Sequence, residues 1–329
     1  MRITRRTAVG GLTAIAFGKP ALAALQPMTY LFPAPSFLPA FIPFHVARKR
    51  GYFEANNLAV SVQTARGGVD VAKQVGAGNA DFGNALGDTP IIVRPNGIPV
   101  RAVALLGQHP LFQIIARKTV NVKSIADLRG KKIGVTSYQE AGYYALLAVV
   151  SANGLKRSDV QIEAVGPAGM TQLMIAKALD ATMTVIEWAD AIETAGIELD
   201  YFRIDKFFPA MPQAILASDT TIKQRPALIA AFVKTQLQAV RDCIDDPAKA
   251  ARDFVFIVPQ YSGREAMVER VLRRYVADVY RTDPPSALGK LDAERYKVVQ
   301  SFYLQNKIIN APSPVDTLFT NAFVSSPIL

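Results

Sequence analysis

Residues 124–143 read SIADLRGKKIGVTSYQEAGY, and their order decides the fold. SIADL is a one-turn helix, Arg129-Gly130-Lys131 a charged turn, and KKIGVT a very short strand. Thr136-Ser137-Tyr138-Gln139 follows where the strand ends and a helix, expected over Tyr138 to Asn153, begins. Such a junction leaves backbone N–H groups without intrahelical partners, available to an acceptor. The stretch is one strand–turn–helix unit, with small polar residues placed at the turn.

The same alternation runs outward in both directions. Upstream, MTYLFP, LAVSVQTA, DFGNA, VRAVALLG and FQIIARK read as strands, with helices in FIPFHVARKRGYF, GGVDVAKQVGAG and GDTPIIVRPNG between them. In the last of these, Asp88 or Thr89 caps a helix that has Pro90 in its first turn. Downstream, VQIEAVG, ATMTVIEW, LDYFRID and AILASD read as strands and MTQLMIAKALD as a helix. From Thr220 onward the chain is mainly helical, with broad apolar faces that signal packing. Repeated βαβ alternation predicts mostly parallel sheets flanked by helices.

Composition bounds the function. The chain has 329 residues, half of them apolar and 19% charged, enough for two packed lobes. Its formal charge is +10, but Arg2, Arg5, Arg6 and Lys19 supply four of those charges from an acid-free N-terminal segment. The other basic residues are scattered, so no nucleic-acid surface is expected. Residues 1–24 combine arginines, the apolar run Ala8 to Phe17 and Ala21-Leu22-Ala23, the layout of an export signal cleaved near Ala23 or Ala24. Thr4-Arg5-Arg6 carries the paired arginines of the twin-arginine route, with a Sec signal as the alternative. Ten apolar residues cannot span a bilayer core of about 30 Å. The lone Cys243 cannot close an internal disulfide, and with only His45 and His109 no metal site has sequence support. No G-x-S-x-G elbow presents a nucleophilic serine.

Three segments together resemble the nitrate/sulfonate/taurine group of periplasmic solute-binding proteins, the receptors of ABC importers. They are HVARKRGYFEANNLAVSVQTARGG (45–68), QVGAGNADFGNALGDTPIIVRPNGIPVRAVA (74–104) and SIADLRGKKIGVTS (124–137). The likeness covers roughly residues 28 to 260. It implies a two-lobed α/β fold of the type II periplasmic-binding-protein class, with a two-strand hinge at FQIIARK and AILASD. Residues 28–115 and 215–329 would form lobe one and 116–214 lobe two. It further implies a monomeric, periplasmic, non-enzymatic protein that passes a small solute to an ABC permease and its ATPase, with no cofactor.

In open α/β sheets ligands lie beyond the carboxyl ends of strands, where helix N-termini supply donors and a positive dipole end. Asn84, Asp88 and Thr89 in lobe one, and Thr136, Ser137, Tyr138, Gln139 and Glu140 in lobe two, occupy such ends; the same residues also serve as ordinary helix caps. The resemblance lays the loop PAPSFLPAF against the ligand, adding Ser36, Phe37 and Leu38. Tyr138 and Trp188 offer flat rings for stacking, and Phe207, Phe208 and Met211 precede the second hinge strand. If Glu140 and Glu187 both face the cleft, they favour a solute with amine or amide donors; if they point away, an anion fits. Relatives of the family that handle thiamine pyrimidines leave an enzyme on the same fold as the alternative, and a sensor domain is a third.

Overall fold

The protein, described here as a computed structural model, has residues 24–138 and 140–324 placed. Apart from Ala24, the segment read as an export signal lies outside the described residues, as does Gln139. Strands β1 (Gln26–Phe32), β2 (Leu58–Thr64), β3 (Phe82–Leu86) and β4 (Val100–Leu105) alternate with α1 (Ile42–Lys49), α2 (Tyr52–Ala55), α3 (Gly68–Gly76) and α4 (Thr89–Val93). A second unit holds β5 (Gln113–Arg117), β6 (Lys132–Val135), β7 (Gln161–Ala164), β8 (Ala181–Thr184) and β9 (Leu199–Phe202), with α5 (Ala141–Ala152), α6 (Gly166–Ile175) and α7 (Ile186–Thr194). Then come β10 (Gln213–Ser218), α8 (Asp219–Gln224), α9 (Pro226–Asp245), α10 (Pro247–Ile257), α11 (Glu265–Tyr275) and α12 (Ala293–Gln305).

The strands form two five-stranded sheets, ordered β2-β1-β3-β10-β4 and β7-β6-β8-β5-β9. Both have the same plan. In the first, β1 runs parallel to β2 and β3 while β10 lies antiparallel between β3 and β4; in the second, β6 runs parallel to β7 and β8 while β5 lies antiparallel between β8 and β9. Four strands in each sheet thus share one direction, and the fifth follows a crossing between lobes. The crossings are residues 106–112 and 203–212, so FQIIARK and AILASD sit inside the sheets, one after each crossing. Two lobes of one plan arise without any sequence repeat.

Packing explains the first lobe's strands. Tyr30, Phe32, Phe44, Phe53, Phe82 and Phe232 are fully buried, with Phe82 and Phe232 stacked at 5.0 Å between ring centroids. Gly83 is required on β3, because a Cβ there would stand 2.1 Å from Cγ1 of Val71 on α3. In α9 the buried set Leu228, Ile229, Phe232, Val233, Leu237 and Val240 repeats at helical spacing, giving the helix one apolar face against the sheet.

Some elements depart from their sequence reading. Helix α5 starts at Ala141, three residues later than expected, because Tyr138 is drawn across β7: its hydroxyl donates to the Ile162 carbonyl (3.0 Å) and accepts from the Ala164 N–H (3.2 Å). Strand β8 ends at Thr184, so Glu187 and Trp188 belong to the first turn of α7 and not to a strand. Helix α6 ends at Ile175, short of the MTQLMIAKALD stretch read as helix, and Lys177 has left it with φ +61°.

The C-terminal helices touch both lobes. On α12, the half-buried Arg295 donates to the carbonyls of Gln108 (2.9 Å) and Pro209 (2.9 Å), one on each crossing, and to that of Ala210. Farther round, Arg270 of α11 forms a two-pronged ion pair with Asp190 of α7 (2.7 and 2.9 Å), and Arg274 pairs with Glu193 at 2.9 Å. No helix among the described residues is long and apolar enough to cross a membrane.

Candidate functional site

The lobes enclose a cleft of about 940 Å³ including its mouth, of which about 170 Å³ can hold the centre of a water-sized group. Its walls are mostly apolar. Lobe one contributes the proline loop, through Pro33, Pro35 and Leu38, together with Phe41, the glycine pair Gly67-Gly68 and Ile92. Lobe two contributes Ala141, Gly142, Pro167, Val185 and Trp188. Leu111 and Phe112 come from the first crossing, and Gln213 opens the strand that follows the second. The Phe112 ring lies against Gly142, 3.4 Å from where a Cβ would stand.

Helix N-termini converge on this space. Gly67 and Gly68 begin α3, Thr89 begins α4, Ala141 and Gly142 begin α5, Pro167 lies in the first turn of α6, and Glu187 and Trp188 in that of α7. Their dipoles make the cleft electropositive before side chains are counted. Two carboxylates answer that field. Glu140 accepts from the Thr136 hydroxyl at 2.6 Å, and its other oxygen lies so close to Gly67 that a Cβ there would stand 2.9 Å away. This contact, with a backbone φ of +87°, makes Gly67 a position for glycine. Glu187 accepts from the Tyr275 hydroxyl through Oε2, while its buried Oε1 has no partner among the described residues. Burial raises the Glu187 carboxyl above the usual range, against the lowering effects of the Tyr275 hydroxyl and of the backbone N–H groups of Glu187 and Ala40.

Of the residues expected at the site, the structure brings Leu38, Asn84, Thr89, Thr136, Glu140, Glu187 and Trp188 to the cleft wall. Others stand elsewhere. Phe37 and Tyr138 are exposed, and the Ser36 carbonyl accepts from Nε2 of His45 at 2.7 Å behind the loop. Ser137 does not line the cleft, though it has a partner of its own. Asp88 is buried behind the floor, where Tyr303 of α12 donates to its Oδ2 at 2.7 Å; its side chain makes no cap bond to α4. Burial pushes the Asp88 carboxyl up to about 6. Phe207 is exposed, Phe208 packs on Phe302 at 5.1 Å and Met211 lies against Gly87, so none of the three forms the cleft floor. Phe112 and Gln213 went unread because their place depends on where the chain crosses. Gly67-Gly68 was legible as a turn signal, and its position before an amphipathic stretch was the available clue.

Among the described residues no group of three His, Cys, Asp or Glu side chains could hold a metal ion. What the arrangement can do is enclose a flat, largely apolar molecule and meet hydrogen-bond donors on it.

Two α/β lobes with sheets of this shared order, joined by two crossings over one cleft, define the periplasmic-binding-protein fold. The alkanesulfonate-binding protein SsuA from Xanthomonas axonopodis pv. citri, solved with MOPS bound, has this fold: TM-score 0.69, 19% identity, covering 91% of this chain and 99% of that one. The chain belongs to the NMT1/THI5-like family, whose profile matches residues 38–250. In sequence it is similar to the riboflavin-binding protein RibY of Chloroflexus aurantiacus, 25% identical over 298 residues, 88% of this chain and 85% of the relative. It is also similar to the 4-amino-5-hydroxymethyl-2-methylpyrimidine phosphate synthase THI11 of Saccharomyces cerevisiae, 24% identical over 68% of this chain and 69% of the relative.

Proposed function

We propose that this protein is the solute receptor of an ABC importer, which captures a small heteroaromatic molecule in the interlobe cleft and hands it to a permease and its ATPase. The observation that carries this reading is the buried Glu187 carboxylate, whose Oε1 makes no full hydrogen bond and has the Ala40 N–H near it, in an apolar cleft walled by Phe41, Phe112 and Trp188. An N–H donor on a flat ring satisfies that oxygen while the rings cover its faces. Glu140 on the same wall argues against an anion such as a sulfonate, because two carboxylates offset the helix ends. The likeness to RibY, a riboflavin-binding protein by name, points the same way.

In this reading residues 1–24 direct export, by the twin-arginine route, and are removed near Ala23 or Ala24. The monomer works in the periplasm. Lobe two, which carries β5 to β9, closes on lobe one, which carries β1 to β4 and β10, by bending at the crossings. A second reading, an enzyme that makes a pyrimidine, is favoured only by the likeness to the yeast synthase.

A thermal-shift panel on the chain from Leu25 onward tests the proposal, using riboflavin, 4-amino-5-hydroxymethyl-2-methylpyrimidine, aromatic carboxylates, taurine, MOPS and nitrate. A ligand at 100 times its Kd adds about 2.7 kcal/mol to stability. The expected result is a shift with a ring bearing N–H groups, abolished in Glu187→Ala, and a ligand recovered unchanged by mass analysis. A shift with sulfonates or nitrate alone overturns the cargo class, and a chemically altered ligand overturns the receptor.

A further inference from the structure

Beneath the cleft lies a second, smaller chamber of about 240 Å³, of which about 10 Å³ can hold the centre of a water-sized group. The two spaces share Ala40, Phe41, Asn84 and Gln213 as a common wall. Most of the chamber is apolar, with Phe32, Phe44 and Leu106 among its walls. Set into those walls are the Tyr30 and Tyr280 hydroxyls, Oδ1 of Asn84 and Nε2 of Gln236. All four residues are at most 2% exposed, and none of these atoms makes a full hydrogen bond among the described residues; the polar neighbour of the Tyr30 hydroxyl is the Asn84 side chain. Buried polar atoms in native proteins are almost always partnered, so four orphans around one small space need a common explanation.

Their chemistry is mixed. Gln236 Nε2 only donates, Asn84 Oδ1 only accepts, and each tyrosine hydroxyl does either. A cation would leave the amide donor unmet, and an anion or carbonyl oxygen would leave the Asn84 oxygen unmet. An oxygen that both donates and accepts meets the set, and the free space suits a single such atom.

We infer that this chamber is a subsite for one hydroxyl-type oxygen, donating to Asn84 Oδ1 and accepting from Gln236 Nε2, with the two tyrosine hydroxyls completing its shell. Two sources supply that oxygen: a water, or a hydroxyl carried by the solute that enters past Asn84 and Gln213. The solute source rests on the proposed reading of the cleft; the water source does not. Asn84 belongs to both spaces, so the occupant also fixes how its amide is presented to the cleft.

Oxygen-17 magnetic relaxation dispersion counts long-lived internal waters and tests the inference on the chain from Leu25 onward, comparing it with the Tyr280→Phe/Gln236→Leu double variant. One fewer long-lived water in the variant is the expected result. Should the double variant fail to fold, Tyr280→Phe alone, which keeps the ring, serves in the same comparison. The two sources separate with riboflavin, which bears a polyhydroxy chain, and lumiflavin, which has the same ring with a methyl group in its place. If riboflavin displaces that water, and its affinity drops at least tenfold in the variant while that of lumiflavin does not, the oxygen is a solute hydroxyl. If the water is lost in the variant but neither flavin displaces it, the oxygen is water. Failure of both flavins to bind removes the flavin cargo while the water count still decides the chamber. An unchanged count together with unchanged flavin affinities overturns the inference.

Discussion

Asp88 and Glu187 hold corresponding places in the two lobes. Each stands at the start of the helix that follows the third strand in its sheet's order, Asp88 after β3 and Glu187 after β8. Each is an acid whose carboxyl burial raises, and each accepts a tyrosine hydroxyl from the C-terminal region, Tyr303 for one and Tyr275 for the other. In both, the remaining oxygen is buried and makes no hydrogen bond among the described residues, and the difference is one of place. Asp88 lies behind the floor, away from the cleft, whereas Glu187 lines the wall. One topological position thus holds an acid behind the floor in the first lobe and an acid on the cleft wall in the second.

Removing the partner of the acid behind the floor gives the largest expected effect. Tyr303 is fully buried, and Tyr303→Ala deletes its ring and strands the Asp88 carboxyl. Urea unfolding should register a loss of about 3–5 kcal/mol, as for other large-to-small changes at buried aromatics. A loss below 1 kcal/mol would break the view of Asp88 as an anchored structural group.

Titration separates the acids next. With a folded value of about 6 against an ordinary 3.8, Asp88 binds its proton more tightly in the folded state. Its contribution to stability is therefore fully present below pH 4 and is lost as pH rises through 6. Asp88→Asn removes that loss while keeping an acceptor for Tyr303. The stability of the variant relative to the natural chain should rise between pH 4 and pH 7 by roughly 3 kcal/mol at most. A pH-independent difference would mean that the carboxyl is not held in a low-dielectric site.

The smallest stability effect sharpens the contrast. Tyr275→Phe keeps the ring and removes the hydroxyl that holds Glu187, at a cost of about 1.5–3 kcal/mol for a hydrogen bond to a charged group. Unlike the changes at Asp88, it should also alter ligand affinity, because the freed carboxylate faces the cleft. Equal affinity in both proteins, measured by titration calorimetry, would place Glu187 with Asp88 as a structural acid.

Much of the fold was legible, and for a local reason. Alternating apolar runs such as LAVSVQTA fix strands, and glycines such as Gly51 end helices, within a few residues of the signal. The site was legible only where the local signal and the tertiary position coincide. Glu140 and Thr136 lie at a strand end that faces the cleft, and they line it. Asp88 has the same local signature, but Tyr303 reaches it from 215 residues away in the chain and claims it. Tyr138 turns outward because β7 offers its hydroxyl both a carbonyl and an N–H. These outcomes depend on which surface meets which, and no window of sequence carries that information.

The place of β10 has a consequence for how the chain is made. Residues 113–202 supply every strand of the second sheet, whereas the first lacks its fourth strand in spatial order until residue 218 has emerged from the ribosome. During that interval β3 and β4 each present an unpaired backbone edge, the kind of surface that recruits foreign strands. The later-encoded lobe is thus ready to fold first. The lobe that begins the chain waits, open-edged, for a six-residue segment to complete its sheet.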